Sequence, residues 1–180
     1  MPKTFPGTTV ELCSLEKGSS RQLFDGIFAT GGITLSQLSI MTGLEPYLIQ
    51  NWIKRGFVSP SVKRLYSRQQ FARILIINML RETLQIERIC HLLSLLDKNG
   101  TDRIGDEELY HRYVDLLAEH PPYLSDPGTV QRAAESAGAD LEQTDPFTHR
   151  QLLRMLQILF YAHTSASLRH TAEALLATLE

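Results

Sequence analysis

Cysteine is scarce in this chain: Cys13 and Cys90 are the only two among 180 residues, and they lie far apart. Such a pair defines neither a disulfide framework nor a C-x-x-C metal site, and is expected as two reduced thiols in a cytoplasmic protein. Long apolar runs are missing as well. None approaches the roughly 18 residues of a membrane helix, so no membrane partner is expected. The opening MPKTFPGTTV has neither the apolar core nor the small-residue cleavage site of a secretory signal. There is no H-E-x-x-H, no phosphate-binding glycine loop and no G-x-S-x-G elbow. Six histidines (91, 111, 120, 149, 163 and 170) fall outside any such motif, although His163 and His170 could share a face. Neither catalysis nor a cofactor is expected. Internal repeats and low-complexity tracts are also absent.

What is present is an ordinary apolar fraction, 43%, with 21% charged residues and a net charge of -2. That total conceals an asymmetry. Between Ile33 and Leu93 stand eight Lys/Arg (Lys54, Arg55, Lys63, Arg64, Arg68, Arg73, Arg81 and Arg88) and three acids (Glu45, Glu82 and Glu87). The segment therefore carries +5, which leaves -7 for the rest of the chain. A basic module joined to an acidic one is a sequence signature of nucleic-acid contact.

The pattern of residues divides the chain into an N-terminal arm at 1–19, a module at 20–96, an acidic connector at 97–106 and a helical C-terminal domain at 107–180. Leu23, Phe24, Ile27 and Phe28 have helical spacing, and Gly31-Gly32 ends that helix. Thr34-Leu35-Ser36-Gln37 is a capping box, opening a helix that buries Leu35, Leu38 and Met41 and stops at Gly43. Pro46 suits the first position of the next helix. This helix has an apolar stripe, Ile49, Trp52 and Ile53, and opposite it a polar stripe, Tyr47, Gln50, Asn51 and Lys54. Residues 57–66 read as two short extended pieces around a proline turn, with Lys63-Arg64 near the tip. Ser67-Arg68-Gln69-Gln70 is a second capping box, followed by a helix of about fifteen residues that is apolar around much of its circumference. Ile86 to about Leu96 forms one more helix. Further helices are expected at about 107–119, 128–137, 146–163 and 165–179.

Two short helices joined by a glycine-containing turn, then an extended wing and two more helices, follow the order of a winged helix-turn-helix. ITLSQLSIMTGLEPYLIQNWIKRGFVSP resembles the MerR pattern of capped first helix, Thr-Gly turn, Pro-started second helix and Gly-aromatic exit. KRLYSRQQFARI is similar to its basic wing and third helix, and LQIERICHLL to its fourth. The stretch from LEPYLIQ to RICHLL resembles, over essentially every position, an uncharacterised bacterial family, domain of unknown function 1836, usually classed beside MerR. The likeness covers roughly residues 20–96. It implies a mostly α protein with a MerR-like winged helix-turn-helix domain, and double-stranded DNA as partner.

Side-chain chemistry agrees with that implication. Gln50 and Asn51 suit adenine edges, and Lys54 and Arg55 suit guanine or phosphate. Tyr47, Lys63, Arg64 and Arg68 suit phosphate oxygens. The expected function is thus a transcriptional regulator reading duplex DNA with helix 46–55 and wing 57–66. The alternative is an adaptor that holds another protein on the same surface.

The resemblance ends downstream. MerR regulators continue from the fourth helix into a long dimerising helix, often with cysteine metal ligands near it. Here Asn99-Gly100 and Gly105 interrupt the chain, and residues 97–180 contain no cysteine, so neither feature carries over. The connector can be aligned with a calcium loop: Asp97, Asn99, Thr101, Ile104 and Glu108 take ligand-loop positions. Asp102 stands where that loop needs glycine, and an acidic start to the helix at Glu107 explains the same residues, so no metal is expected. The C-terminal leucines from Leu152 to Leu179 offer either an intrachain core or a homodimer interface. An effector pocket near Tyr110, Tyr113 or Tyr161 has no specifying motif.

Overall fold

A computed structural model of the chain describes residues 3–97, 104–120, 126–143 and 145–179. Helices dominate it. The described elements are a two-stranded antiparallel hairpin, β1 (Lys3–Thr4) and β2 (Glu11–Leu12), followed by α1 (Ser19–Ile27), α2 (Leu35–Thr42), α3 (Pro46–Lys54), α4 (Arg68–Leu80), α5 (Ile86–Asp97), α6 (Asp106–Glu119), α7 (Pro127–Gly138) and α8 (Pro146–Leu176). No helix among the described residues is long and apolar enough to cross a membrane.

The helix starts are set by local chemistry. Thr34 Oγ1 accepts the Gln37 amide hydrogen bond while Gln37 Oε1 accepts that of Thr34, and Ser67 and Gln70 repeat the exchange at α4. Two otherwise orphaned amide donors are satisfied at each end. Pro46 occupies the first turn of α3, and Gly43 ends α2 in the left-handed conformation (φ 69°) that glycine adopts without a Cβ penalty.

One buried cluster runs from Phe5 through α1–α8 to Ala162. α4 lies at its centre, buried around most of its circumference, as its apolar run requires. Trp52 and Ile49 belong to this core and Ile53 packs at its margin. The connector at 97–106 is therefore a boundary in sequence but not in packing: α6 lies against both α1 and α4. The residues read as an arm are partly docked. Gly7 (φ 75°) approaches α4 so closely that a Cβ there would stand 2.4 Å from the Leu75 carbonyl oxygen. Asn78 Nδ2 donates to the Gly7 carbonyl, and the buried Tyr110 hydroxyl donates to that of Pro6.

The C-terminal end differs from its expected form. Instead of two helices at 146–163 and 165–179, α8 is a single helix of 31 residues, about 46 Å long. Thr164 carries no glycine or proline beside it to break the helix.

Candidate nucleic-acid interface

The site is assembled from three short pieces held on α4. α2 and α3 are joined by the three residues Gly43–Glu45, and the buried Leu38, Leu44, Ile49 and Trp52 fix their mutual packing. The apolar stripe of α3 thus faces inward, and Tyr47, Gln50, Asn51 and Lys54 are all exposed. Tyr47 is 71% exposed, an unusual position for a large aromatic side chain with no interior to fill.

The expected wing is smaller than an extended ribbon. It consists of one tight turn, in which the Val62 amide donates to the Leu65 carbonyl (3.0 Å) and the Leu65 amide to that of Val62 (2.9 Å). Its base is a bridge between Ile33 and Tyr66. The central residues are Lys63 (φ 50°) and Arg64 (φ 64°), two positive values that mark a type I′ turn. Turns of this type favour Asn-Gly, because a Cβ in the left-handed region costs roughly 1–2 kcal/mol per residue. Two long cationic side chains occupy the strained positions instead. Both are exposed, and neither has an ion pair among the described residues.

Gln70 positions this turn. Besides capping α4, its buried amide nitrogen donates to the carbonyls of Ser59 (2.8 Å) and Pro60 (2.9 Å). The capping pattern was readable in sequence, whereas this second role is visible only in the structure. Between the turn and the helices lies a groove of about 540 Å³, lined by Gln50 and Ile53 of α3, by Pro60, Ser61 and Arg64, and by the start of α2 at Thr34–Ser36. Gln50 and Arg64 therefore flank one depression, and the α2 start was not foreseen as part of it. Its capping box was legible, but which surface it would face was not.

The other two expected residues have partners within the chain. Arg55 pairs with Glu87 (2.5 Å) and lies over the Phe57 ring, 4.5 Å from its centroid, at an exposed edge. Arg68 bonds Asp25 (2.9 Å) and Glu107 (2.7 Å) and lies over the rings of Phe24 and Phe28. Arg73 likewise bonds Asp106 (2.8 Å), and Arg21 bonds Glu108 and Asp115. The acidic start of α6 is thus neutralised by arginines of α1 and α4. Glu108, the carboxylate at the last position of the calcium-loop alignment, bonds both Arg21 and Arg112. Positions 98–103 of that alignment lie outside the described residues, and no group of three potential metal ligands occurs among the described ones.

Residues 33–113 match the family model described as Domain of unknown function (DUF1836). The DUF1836 match begins at the bridge residue Ile33 and ends within α6, so it includes all eight expected contact residues and the ties of Arg68 and Arg73 to α6. The hairpin, α1, α7 and α8 lie outside it. No curated protein and no solved structure matches the chain.

The remaining candidate residues resolve as structural or undirected. Tyr113 is buried with its hydroxyl 2.8 Å from His163 Nδ1, and burial pushes that imidazole down to about 4. Burial also raises the Cys90 thiol above its ordinary value, which keeps it protonated. With their hydroxyls engaged in the core, Tyr110 and Tyr113 present no polar group to an effector.

Proposed function

We propose that the protein is a transcriptional regulator that binds double-stranded DNA through a MerR-like winged helix-turn-helix. In this reading α2 and α3 are the paired helices, α3 enters the major groove, and the Lys63-Arg64 turn is the wing. The observation that carries the reading is the shared groove between Gln50 and Arg64, with the exposed stripe of α3 on one side and the strained cationic turn on the other. Gln50 and Asn51 carry the amide geometry for paired hydrogen bonds to adenine N6 and N7, and Lys54 is placed to reach guanine or phosphate. Tyr47, Lys63 and Arg64 supply phosphate contacts that set orientation without reading sequence. Arg55 sits at the edge of this set and exchanges Glu87 for a phosphate when bound. Arg68 contributes by holding α1, α4 and α6 together, because a phosphate would have to displace two carboxylates from it.

Strain supports the same assignment. A sequence free to choose its turn residues would place Asn-Gly at 63–64; retaining Lys-Arg there sacrifices stability for two cations at the tip.

The test is binding to random-sequence duplex DNA by fluorescence anisotropy over a salt series. A DNA reader loses affinity steeply as salt rises, because it releases counterions from the phosphates that it covers. Absence of binding at low salt would favour the adaptor reading, in which another protein occupies the groove.

A further inference from the structure

A cleft of about 560 Å³ lies where four separate stretches of chain meet: the hairpin turn at Gly7 and Thr8, Thr42 at the end of α2, the end of α4, and α8 from His163 to Ala174. Its size is that of a small-molecule site. It shares no residue with the groove between α3 and the Lys63-Arg64 turn. Its outer wall is tied down, because Glu82 pairs with both Arg169 and His170 Nε2 (2.9 Å) and so holds the second half of α8 against the end of α4.

Many of the cleft's polar groups are already engaged. Asn78 Nδ2 donates to the carbonyls of Gly7 (3.0 Å) and Thr42 (3.1 Å), and Thr42 Oγ1 donates to that of Leu38 (2.7 Å). Arg81, Ser167 and His163 keep donors to spare. Arg81 Nε donates to Asn78 Oδ1 (3.0 Å), which fixes the guanidinium, while its terminal nitrogens have no partner among the described residues. The Ser167 hydroxyl has none either. The Tyr113 hydroxyl lies 2.8 Å from His163 Nδ1 and 3.3 Å from the Leu159 carbonyl, and its single hydrogen goes to the closer acceptor. That leaves the hydrogen of this neutral imidazole on Nε2, which has no partner in the chain and is open to the cleft that the ring lines. Glu82 is the acid of the cleft, and Arg169 and His170 claim it, so Arg81 carries the uncompensated charge.

These donors specify an occupant. One fixed guanidinium calls for one anionic group, and its planar fork matches a carboxylate. The donors on α8 are neutral, so they call for an uncharged acceptor; a second anion there would be desolvated without a counter-charge. His163 stands two turns of α8, about 10 Å, from the His170 that adjoins Glu82 and Arg81, so an occupant touching both ends is longer than a phosphate ion. We infer that the cleft binds a small oxo or hydroxy carboxylic acid, with its carboxylate on Arg81 and its carbonyl or hydroxyl oxygen on Ser167 and His163 Nε2. Two hydrogen bonds through Asn78 separate Arg81 from the Thr42 carbonyl, so the occupant links α8 to the end of α2. The inference does not require DNA binding.

The probe is levulinate, a short oxo acid, titrated to about 20 mM into the isotope-labelled full chain, with backbone amide shifts read by nuclear magnetic resonance. Saturable shifts are expected at Gly7, Asn78 and Ser167. Arg81→Gln, a change at an exposed position, should weaken levulinate binding by about tenfold or more, because a charged hydrogen bond is lost. Ser167→Ala should weaken it by about threefold and leave the binding of valerate, which lacks the ketone, unchanged. Levulinamide, without the carboxylate, and inorganic phosphate should give no saturable shift. Absence of saturable levulinate shifts at those amides overturns the proposal, as does binding that Arg81→Gln leaves intact. An equal response to phosphate would reduce the cleft to an unselective anion patch, and an equal response to levulinamide would remove the carboxylate from Arg81; either result also overturns it.

Discussion

Lys63 and Arg64 differ from Arg68 and Arg73 in almost every physical respect, although all four belong to one basic stretch of sequence. The first two stand at the tip of a strained turn, exposed and without ion pairs among the described residues. The second two lie on α4, paired with Asp25, Glu107 and Asp106 and sheltered by α1 and α6. A charge count weighs them equally. Folding divides them: the acidic segment that follows returns to neutralise the arginines nearest the core and leaves the turn and the outer stripe of α3 uncovered. The +5 of residues 33–93 is therefore an upper limit on the charge offered to a nucleic acid, and Lys54, Lys63 and Arg64 are the exposed cations on the side of α3 and the turn.

The sharpest way to break this comparison is charge reversal on each side of it. Lys63→Glu with Arg64→Glu should lower affinity for duplex DNA by at least about 100-fold, while thermal stability changes by less than about 0.5 kcal/mol, as for exposed positions generally. Anisotropy and calorimetry on the same preparations measure both. Retained DNA binding would remove the turn from the interface.

Acid should weaken the buried side of the molecule selectively. His163 is held neutral by burial, its pKa lowered from the ordinary 6.5 to about 4. The unfolded chain takes up a proton first, so this group's stability is complete above about pH 6.5, falls as pH drops through that value, and levels off below about 4. The full loss is about 3 kcal/mol. His163→Gln should flatten that part of the profile in urea titrations between those limits.

Arg68→Ala sits on the other side of the comparison. It should cost about 1–2 kcal/mol of stability, since Glu107 is only partly buried and Asp25 is exposed, and change DNA affinity by less than threefold. A large loss of DNA binding at unchanged stability would show that Arg68 releases its acids for phosphate. Replacing Lys63-Arg64 by Asn-Gly gives the smallest and most pointed effect. The turn relaxes, stability rises by about 1 kcal/mol, and DNA affinity falls.

Much of this architecture was legible from local signals. Both capping boxes, the Pro46 start, the Gly43 stop and the two faces of α3 depend on spacings within one or two turns, and each appears as expected. The contacts that span the chain were not legible. Nothing near Arg68 announces that Glu107 will reach it, because the meeting depends on α6 packing across α1 and α4. The docked hairpin escaped for a similar reason: residues 3–12 have little periodicity, and their order comes from Asn78 and Tyr110, far along the sequence. The division of α8 into a buried half and an exposed half was also hidden, since its leucines look alike until their neighbours are known. In the candidate site, sequence supplied the side chains of α3 and the turn. It missed the second hydrogen-bonding role of Gln70, which holds the turn against α4.

The salt dependence of duplex affinity for three proteins, wild type, Lys63→Ala with Arg64→Ala, and Arg68→Ala with Arg73→Ala, tests the division of charge most directly. If the turn meets phosphates and the α4 arginines do not, removing the two turn cations reduces the slope of log affinity against log salt by about 1.8. Removing the two paired arginines leaves that slope at the wild-type value. Equal slopes for wild type and the turn variant, or a reduced slope only for the α4 variant, would contradict the account.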